Sequence, residues 1–189
     1  MAMDATDARQ LSQGELEGRQ QVGEFFRFLK NEVPGFAKAQ ITEIAPQVGI
    51  RESRRIQGAY ALTGHDIVSC AAFEDAIGVN AWPMEMHAQG KIEWRFPETP
   101  VGPHQRLYNQ LPWRMLVPQG IHNLLVAGRC ASMTHEGQSA ARVSGGCFVM
   151  GQAAGTAAAH LSDGERFSDI SVQALQQRLV SDGCFLELE

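Results

Sequence analysis

The sequence predicts a mixed α/β (α+β) fold built around one strand–turn–helix unit in its C-terminal third. Three observations predict it. Leu124-Leu125-Val126-Ala127 is an apolar run too short for a helix, bounded by Asn123 and Gly128. That is the pattern of a buried parallel strand. After a polar loop, the pair Gly145-Gly146 opens Val143 to Leu161, a stretch rich in Ala and Gly without Asp, Glu, Lys or Arg. It reads as a buried helix. Upstream, several short segments alternate moderately and carry β-branched or aromatic residues, as strands do.

In chain order, Ser12-Gln13-Gly14-Glu15 has the form of a capping box. Leu16, Val22, Phe25, Phe26 and Leu29 then recur at three- and four-residue steps. An amphipathic helix is expected from about Gln13 to Glu32, ended by Pro34-Gly35. Residues before Leu11 are expected to be disordered or truncated. Strands are expected over Gln40–Ile44 and Ile56–Leu62. Thr63 caps a short helix running to about Phe73. Further strands are expected over Ala76–Trp82 and Lys91–Phe96, with the polar Met86–Gly90 between them. Pro97, Pro100 and Pro103 mark a loop, and Leu111–Val117 is a strand ended by Pro118 and the turn Gln119-Gly120. The helix after Gly145 runs to about His160. Gly151 and Gly155, four apart with Ala154 and Ala158 beside them, would allow a very close approach by another element. A last helix covers about Ser171 to Ser181, with Val172, Leu175, Leu179 and Val180 as its stripe and Gly183 past its end.

Composition excludes several functions. The formal charge is −5 and no basic run exceeds Arg54-Arg55, so nucleic acid is not expected as a partner. The N-terminus is polar and acidic, unlike a signal or transit peptide. Four scattered cysteines without a C-x-x-C argue against zinc and against a secreted disulfide framework, so a cytoplasmic location is expected. Val143–Leu161 is long enough to span a bilayer. Its Ala and Gly content, Gln152, His160 and lack of anchoring flanks favour a buried helix, and no membrane span is expected. His135-Glu136 lacks the second His of H-E-x-x-H, so no metal site is expected there. Ser139 is not in a G-x-S-x-G elbow. His87, His104 and Tyr108 lie in or beside loops, where a lone polar side chain is more often solvated than catalytic.

Three pieces carry a resemblance that covers the chain from about Leu11 onward. They are Asn123-Leu124-Leu125-Val126-Ala127-Gly128-Arg129 with Thr134-His135-Glu136 and Gly151-Gln152-Ala153-Ala154-Gly155-Thr156; Gly49-Ile50-Arg51-Glu52-Ser53-Arg54-Arg55-Ile56; and Leu111-Pro112-Trp113-Arg114-Met115-Leu116-Val117-Pro118. Together they resemble the C-terminal portion of FAD-dependent oxidoreductases in the glutathione-reductase superclass, related to the fumarate reductase and succinate dehydrogenase flavoproteins. Such enzymes begin with a G-x-G-x-x-G turn that holds the ADP half of FAD, and this sequence contains none. The resemblance implies three segments: an N-terminal helix over 1–36, a mostly antiparallel substrate-side sheet over 37–122, and the C-terminal segment of the FAD domain over 123–189.

It also implies a site. The cofactor is FAD, with Gly128, Arg129 and Cys130 at the strand end and Ser144, Gly145, Gly146 and Cys147 at the helix start as its contacts. Gly128 would let the backbone approach the ribityl chain. Arg129 stands where several related flavoproteins carry an acidic ribityl ligand. The helix start would offer amides to the pyrimidine edge of the flavin, which gains negative charge on reduction. No motif supports covalent attachment through a His or Cys130. In the fumarate reductase group an Arg and a His before the Gly-Gly helix start serve the substrate carboxylate, which here would be Arg142 and His135. The gap from Arg142 to Gly151 is about a helical turn shorter than in that group. The plainer reading of Arg142 is an ion pair with Glu136. Among Arg51, Arg54 and Arg55, a solvated strand edge and a carboxylate ligand both remain open, with Arg54 carried forward as the third catalytic candidate.

The expected function is hydride transfer between a small organic substrate, a carboxylate-bearing one included, and flavin N5, in either direction, by a chain inactive alone. The expected partner is a second chain, or a missing N-terminal half, that carries the ADP-binding motif. The alternative is a non-catalytic partner subunit or truncated remnant that needs that half.

Overall fold

The computed structural model describes residues 3–88, 91–97, 107–160 and 166–187. It divides into a unit over Met1–Arg54 and a unit over Arg55–Glu189.

The first unit is one long helix, α1 (Ala8–Glu32), and an irregular tail. The helix starts five residues before the expected position because Asp7, not Ser12, is the cap. Its carboxylate accepts from the amides of Arg9 (2.8 Å) and Gln10 (3.3 Å). Ser12 lies inside the helix, and its hydroxyl donates back to the carbonyl of Ala8 at 2.8 Å. The end falls at Glu32 as expected, with Gly35 left-handed at φ +91° just beyond. Within the tail, the Glu15 carboxylate accepts from the Val48 amide, and Arg19 donates to the Pro46 carbonyl at 3.3 Å. The strand expected over Gln40–Ile44 does not form. Leu16, Phe25 and Phe28 on α1 are exposed.

The second unit is α+β. Thr63 caps α2 (Gly64–Val68) through a capping box with Asp66, and the helix stops five residues before Phe73. Strand β1 (Ala76–Asn80) pairs antiparallel with β4 (Asn109–Pro112), in register Asn80 opposite Asn109. Strands β2 (Met84–Ala88) and β3 (Lys91–Arg95) form a hairpin. Part of the polar stretch expected to be a loop is thus strand β2. The strand expected over Leu111–Val117 ends at Pro112 and becomes a 3₁₀ turn over Trp113–Leu116. Asp75 explains the switch. Its carbonyl accepts from the Trp113 amide (2.7 Å) and its carboxylate from the Arg114 amide (3.0 Å), so these donors leave the ladder.

Ile56–Leu62 is not a regular strand but a brace threaded between two segments. It makes isolated bridges from Gly58 to Pro118 and from Leu62 to Met133, the latter parallel. A Cβ on Gly58 would stand 2.7 Å from the Cβ of Ser132, so the approach there requires glycine. The run Leu124–Ala127 also fails to form the expected parallel strand. The Val126 amide donates to the Leu116 carbonyl at 2.9 Å, but no sheet forms around it among the described residues. A parallel strand needs neighbours, and apolarity alone does not supply them.

Three helices close the unit: α3 (His135–Ala141), α4 (Ser144–His160) and α5 (Val172–Ser181). Helix α3 occupies what reads in the sequence as a polar loop. Thr134 caps it, accepting from the Gly137 amide at 3.2 Å. Gly137 packs so tightly on the Leu62 carbonyl that a Cβ does not fit. Helices α4 and α5 start and end close to the expected positions. Met150, Ala153 and Ala157 of α4 and Leu175 and Leu179 of α5 enter a core with Leu62, Ile77, Leu111, Met115 and Leu116. Gly151 and Gly155 face outward instead, and a Cβ on either would meet nothing within 4 Å. Among the described residues no helix is long and apolar enough to cross a membrane.

Candidate functional site

Helices α3 and α4 are nearly continuous, and the break between them leaves the start of α4 open. Only Arg142 and Val143 separate them. The Arg142 amide completes α3 by donating to Gln138 O (3.0 Å), and the Cys147 amide donates to Val143 O (3.0 Å) in the first bond of α4. The amides at the start of α4 therefore have no carbonyls within their own helix and carry its positive end. Ser144 and Gly145 are exposed, and nothing stands within 4 Å of a Cβ built on Gly145. Gly146 is the opposite case. It is buried against the Ala141 carbonyl with no room for a Cβ. The two glycines share a sequence motif and differ in task.

Beside this opening lies the turn Gly128–Cys130. Gly128 adopts φ +78°, a left-handed conformation that favours glycine. The turn is closed by the Ala131 amide donating to Gly128 O at 3.0 Å. Gln138, 1 % exposed, donates from Nε2 to Arg129 O at 3.3 Å, and the Ile56 amide donates to Cys130 O at 3.0 Å. Cys147 joins the turn to the helix start. Its Sγ lies 3.6 Å from the position of a Gly128 Cβ and donates to Arg142 O at 3.2 Å. Burial pushes the Cys147 thiol up, and the neighbouring Arg129 only partly offsets it. It therefore stays a protonated donor rather than a thiolate nucleophile.

Eight of the ten residues singled out from the sequence thus converge: Gly128, Arg129, Cys130, Arg142, Ser144, Gly145, Gly146 and Cys147. His135 does not join them. It is exposed at the N-terminal end of α3, about 10 Å along the helix axis from Arg142. Its neighbour Glu136 has its carboxyl held below the usual range, first by its own backbone amide and then by the Thr134 hydroxyl. Arg54 is exposed and belongs to the first unit. His87 contacts Glu85 at 2.9 Å, Tyr108 is buried, and His104 lies outside the described residues.

A second polar cluster escaped the sequence reading. Arg114 grips Asp75 through Nε (2.9 Å) and Nη2 (3.2 Å), and its guanidinium lies 5.2 Å from the centre of the Tyr60 ring. Tyr60 donates to Asp66 Oδ2 at 2.9 Å, and Asp66 accepts from the Thr63 amide and hydroxyl, each at 2.8 Å. These groups satisfy one another and fasten α2 to the 3₁₀ turn. Gln138 and Asp75 carry no local motif that announces them. The cap at Thr134 was open to recognition from its residue type alone.

A family model described as FAD dependent oxidoreductase matches residues 1–179. No curated protein and no solved structure gives a match.

Proposed function

Because the chain belongs to the FAD-dependent oxidoreductase family, we propose that the opening between Gly128–Cys130 and the start of α4 is its part of a flavin site. The observation that carries this reading is the open space over Gly145 at the amide end of a 17-residue helix. A flavin pyrimidine edge presents carbonyl oxygens and gains negative charge on reduction, and such a helix end complements both. The residues present fit that group. When bound, FAD would supply the hydride chemistry at N5 for a small organic substrate, a carboxylate among the classes it fits, as a dehydrogenase or in the reverse direction.

The chain's own residues bind and orient. Ser144 and Gly145 offer amides to the ring edge, and Gly128 with Arg129 and Cys130 lets the backbone come close to the ribityl portion. Gly146, Cys147 and Gln138 keep that turn and the helix start in register. Arg142, at the break, is the candidate for a substrate carboxylate, which a guanidinium can hold through two parallel hydrogen bonds. His135 would serve the substrate only from the far end of α3. Arg54 is kept as a candidate from the first unit.

The test uses the assembled flavoprotein. Gly145→Val should lower flavin content while leaving helix content intact, and unchanged flavin content would overturn the contact. Arg142→Gln should keep the flavin spectrum and lower kcat/KM by about 2–4 kcal/mol of transition-state stabilisation. Equal loss of flavin and activity would make Arg142 a cofactor or structural residue.

A second reading, of partner rather than chemistry, is supported by the outer face of α4. Phe148 is 76 % exposed, and Gly151, Gly155 and Ala158 continue the face with almost no side chain. We infer that a segment carrying the glycine-rich ADP-binding turn, on another polypeptide or elsewhere in a longer one, covers this face in the cytoplasm. Alone, the 189-residue chain should purify colourless and elute as an assembly larger than a monomer. Supplying the ADP-binding half should restore flavin and give a discrete complex. A monomeric, FAD-loaded 189-residue chain would overturn it.

A further inference from the structure

In the second unit a cavity of about 270 Å³ opens where the β2–β3 hairpin leaves the β1–β4 pair. Its floor is a cross-strand amide pair. Asn80, at the end of β1, donates from Nδ2 to Asn109 Oδ1 at 2.9 Å, and the two are 5 % and 1 % exposed. Its walls include Trp82, Pro83, Phe96 and Tyr108. Among the described residues no charged side chain lines it.

These walls are fixed before any ligand arrives. Asn80 clamps the Trp82 backbone at both ends, donating to Trp82 O (3.2 Å) and accepting from Trp82 N (3.4 Å). Trp94 does not line the cavity but braces two of its walls. Its ring meets Trp82 edge-on with centroids 6.0 Å apart and stacks near Phe96 at 6.2 Å and 24°. Rigid aromatic walls lose little conformational freedom on binding, which is the usual gain from preorganisation. Yet Trp82 and Phe96 remain 43 % and 60 % exposed, so ring surface is still available to a ligand.

We propose that this cavity binds a neutral aromatic ring carrying one hydrogen-bonding substituent, independently of the flavin reading. Size sets the first limit. A cavity of roughly 150 Å³ accommodates a benzene ring, so this one holds a single ring with a small substituent. Charge sets the second. Against the described lining a carboxylate or ammonium would lose its water without an opposite charge to replace it. Shape sets the third, because aromatic walls favour offset and edge-to-face contact with another flat ring over an aliphatic one. The amide floor supplies the polar contact. Asn109 Nδ2 donates to Gln110 O and each amide nitrogen carries two hydrogens, leaving Asn109 one donor.

Three probes of similar size separate these terms: benzamide, benzoate and cyclohexanecarboxamide. Each is titrated into the full chain and followed by ligand-observed NMR and tryptophan fluorescence. Benzamide should bind with a Kd about tenfold or more below that of benzoate, as expected for an unpaired charge. It should exceed cyclohexanecarboxamide by about threefold to tenfold. Trp82→Ala and Phe96→Ala should each weaken benzamide by about tenfold. Phe96 is mostly exposed, so its variant tests the site without endangering the fold. Phe25→Ala, in the first unit, should change nothing. Equal binding of benzamide and benzoate, no binding of benzamide at its solubility limit, or indifference to both wall variants would overturn the proposal. The readout is binding rather than turnover, so a colourless chain does not affect it.

Discussion

Gly146 packs its α-carbon against the Ala141 carbonyl so closely that no Cβ fits, while its neighbour Gly145 faces open space. Gly146→Ala should therefore destabilise the second unit by about 1–3 kcal/mol through overpacking. Gly145→Ala should be neutral or stabilising by up to about 1 kcal/mol, since alanine is the better helix former. Denaturant titrations followed by helical circular dichroism distinguish them. Equal effects in both variants would remove the contact with Ala141 as the cause.

Gln138 is buried and donates to the Arg129 carbonyl from one turn before the helix break. Gln138→Leu keeps the volume but removes the donor, and should cost about 1–3 kcal/mol. The same variant should loosen the Gly128–Cys130 turn, so hydrogen exchange at the Ala131 amide should quicken. An unaltered Ala131 exchange rate would show that Gln138 acts elsewhere.

Asp75 is buried while the Arg114 side chain that grips it is half exposed. Asp75 also accepts from the Arg114 amide, so the two members of the pair are unequal. Asp75→Ala strands several donors and should cost about 2–3 kcal/mol, whereas Arg114→Ala should cost nearer 1. A double-mutant cycle should return a favourable coupling below the larger single effect. Additive losses would mean that the ion pair contributes nothing to stability.

Tyr60 gives the pH dependence. Burial first, and then its hydrogen bond to Asp66, push its hydroxyl up from 10.0 to about 12. The folded state holds this proton more tightly than the unfolded chain does. The corresponding stability is complete below about pH 10 and is lost as pH rises through about 12. Tyr60→Phe should flatten that part of the stability profile. Subtracting the variant's tyrosinate absorbance should isolate a late titration, and a difference curve centred near pH 10 would contradict the Asp66 bond.

What the sequence made legible was local. The cap at Thr63, the left-handed Gly183, the end of α1 and the whole span of α4 follow from residue type and spacing. The start of α1 was misread locally, at Asp7, but the larger errors involve a partner distant in sequence. Asp75 diverts the amides of Trp113 and Arg114 across 38 and 39 residues, which turns an expected strand into a 3₁₀ turn. Gly137 is required by the Leu62 carbonyl, and Leu124–Ala127 lacks, among the described residues, the neighbours that would make it a strand. The flavin candidates around Gly128 and Ser144 rest on motif resemblance. Gln138, which donates to the Arg129 carbonyl in that turn, had no such guide, because a buried glutamine inside a helix carries no pattern of its own.

The two residues between α3 and α4 make the geometry of this part of the chain sensitive to length, separately from the identity of either residue. Were the helix continuous, the amides of Ser144, Gly145 and Gly146 would donate to the carbonyls of Ala140, Ala141 and Arg142 and be consumed. A deletion that joined the helices would erase the opening without altering any side chain that borders it. An inserted residue would rotate α4 by about 100° and turn Met150, Ala153 and Ala157 out of the core. Substitutions at Arg142 and Val143 therefore belong to one class of change and indels to another.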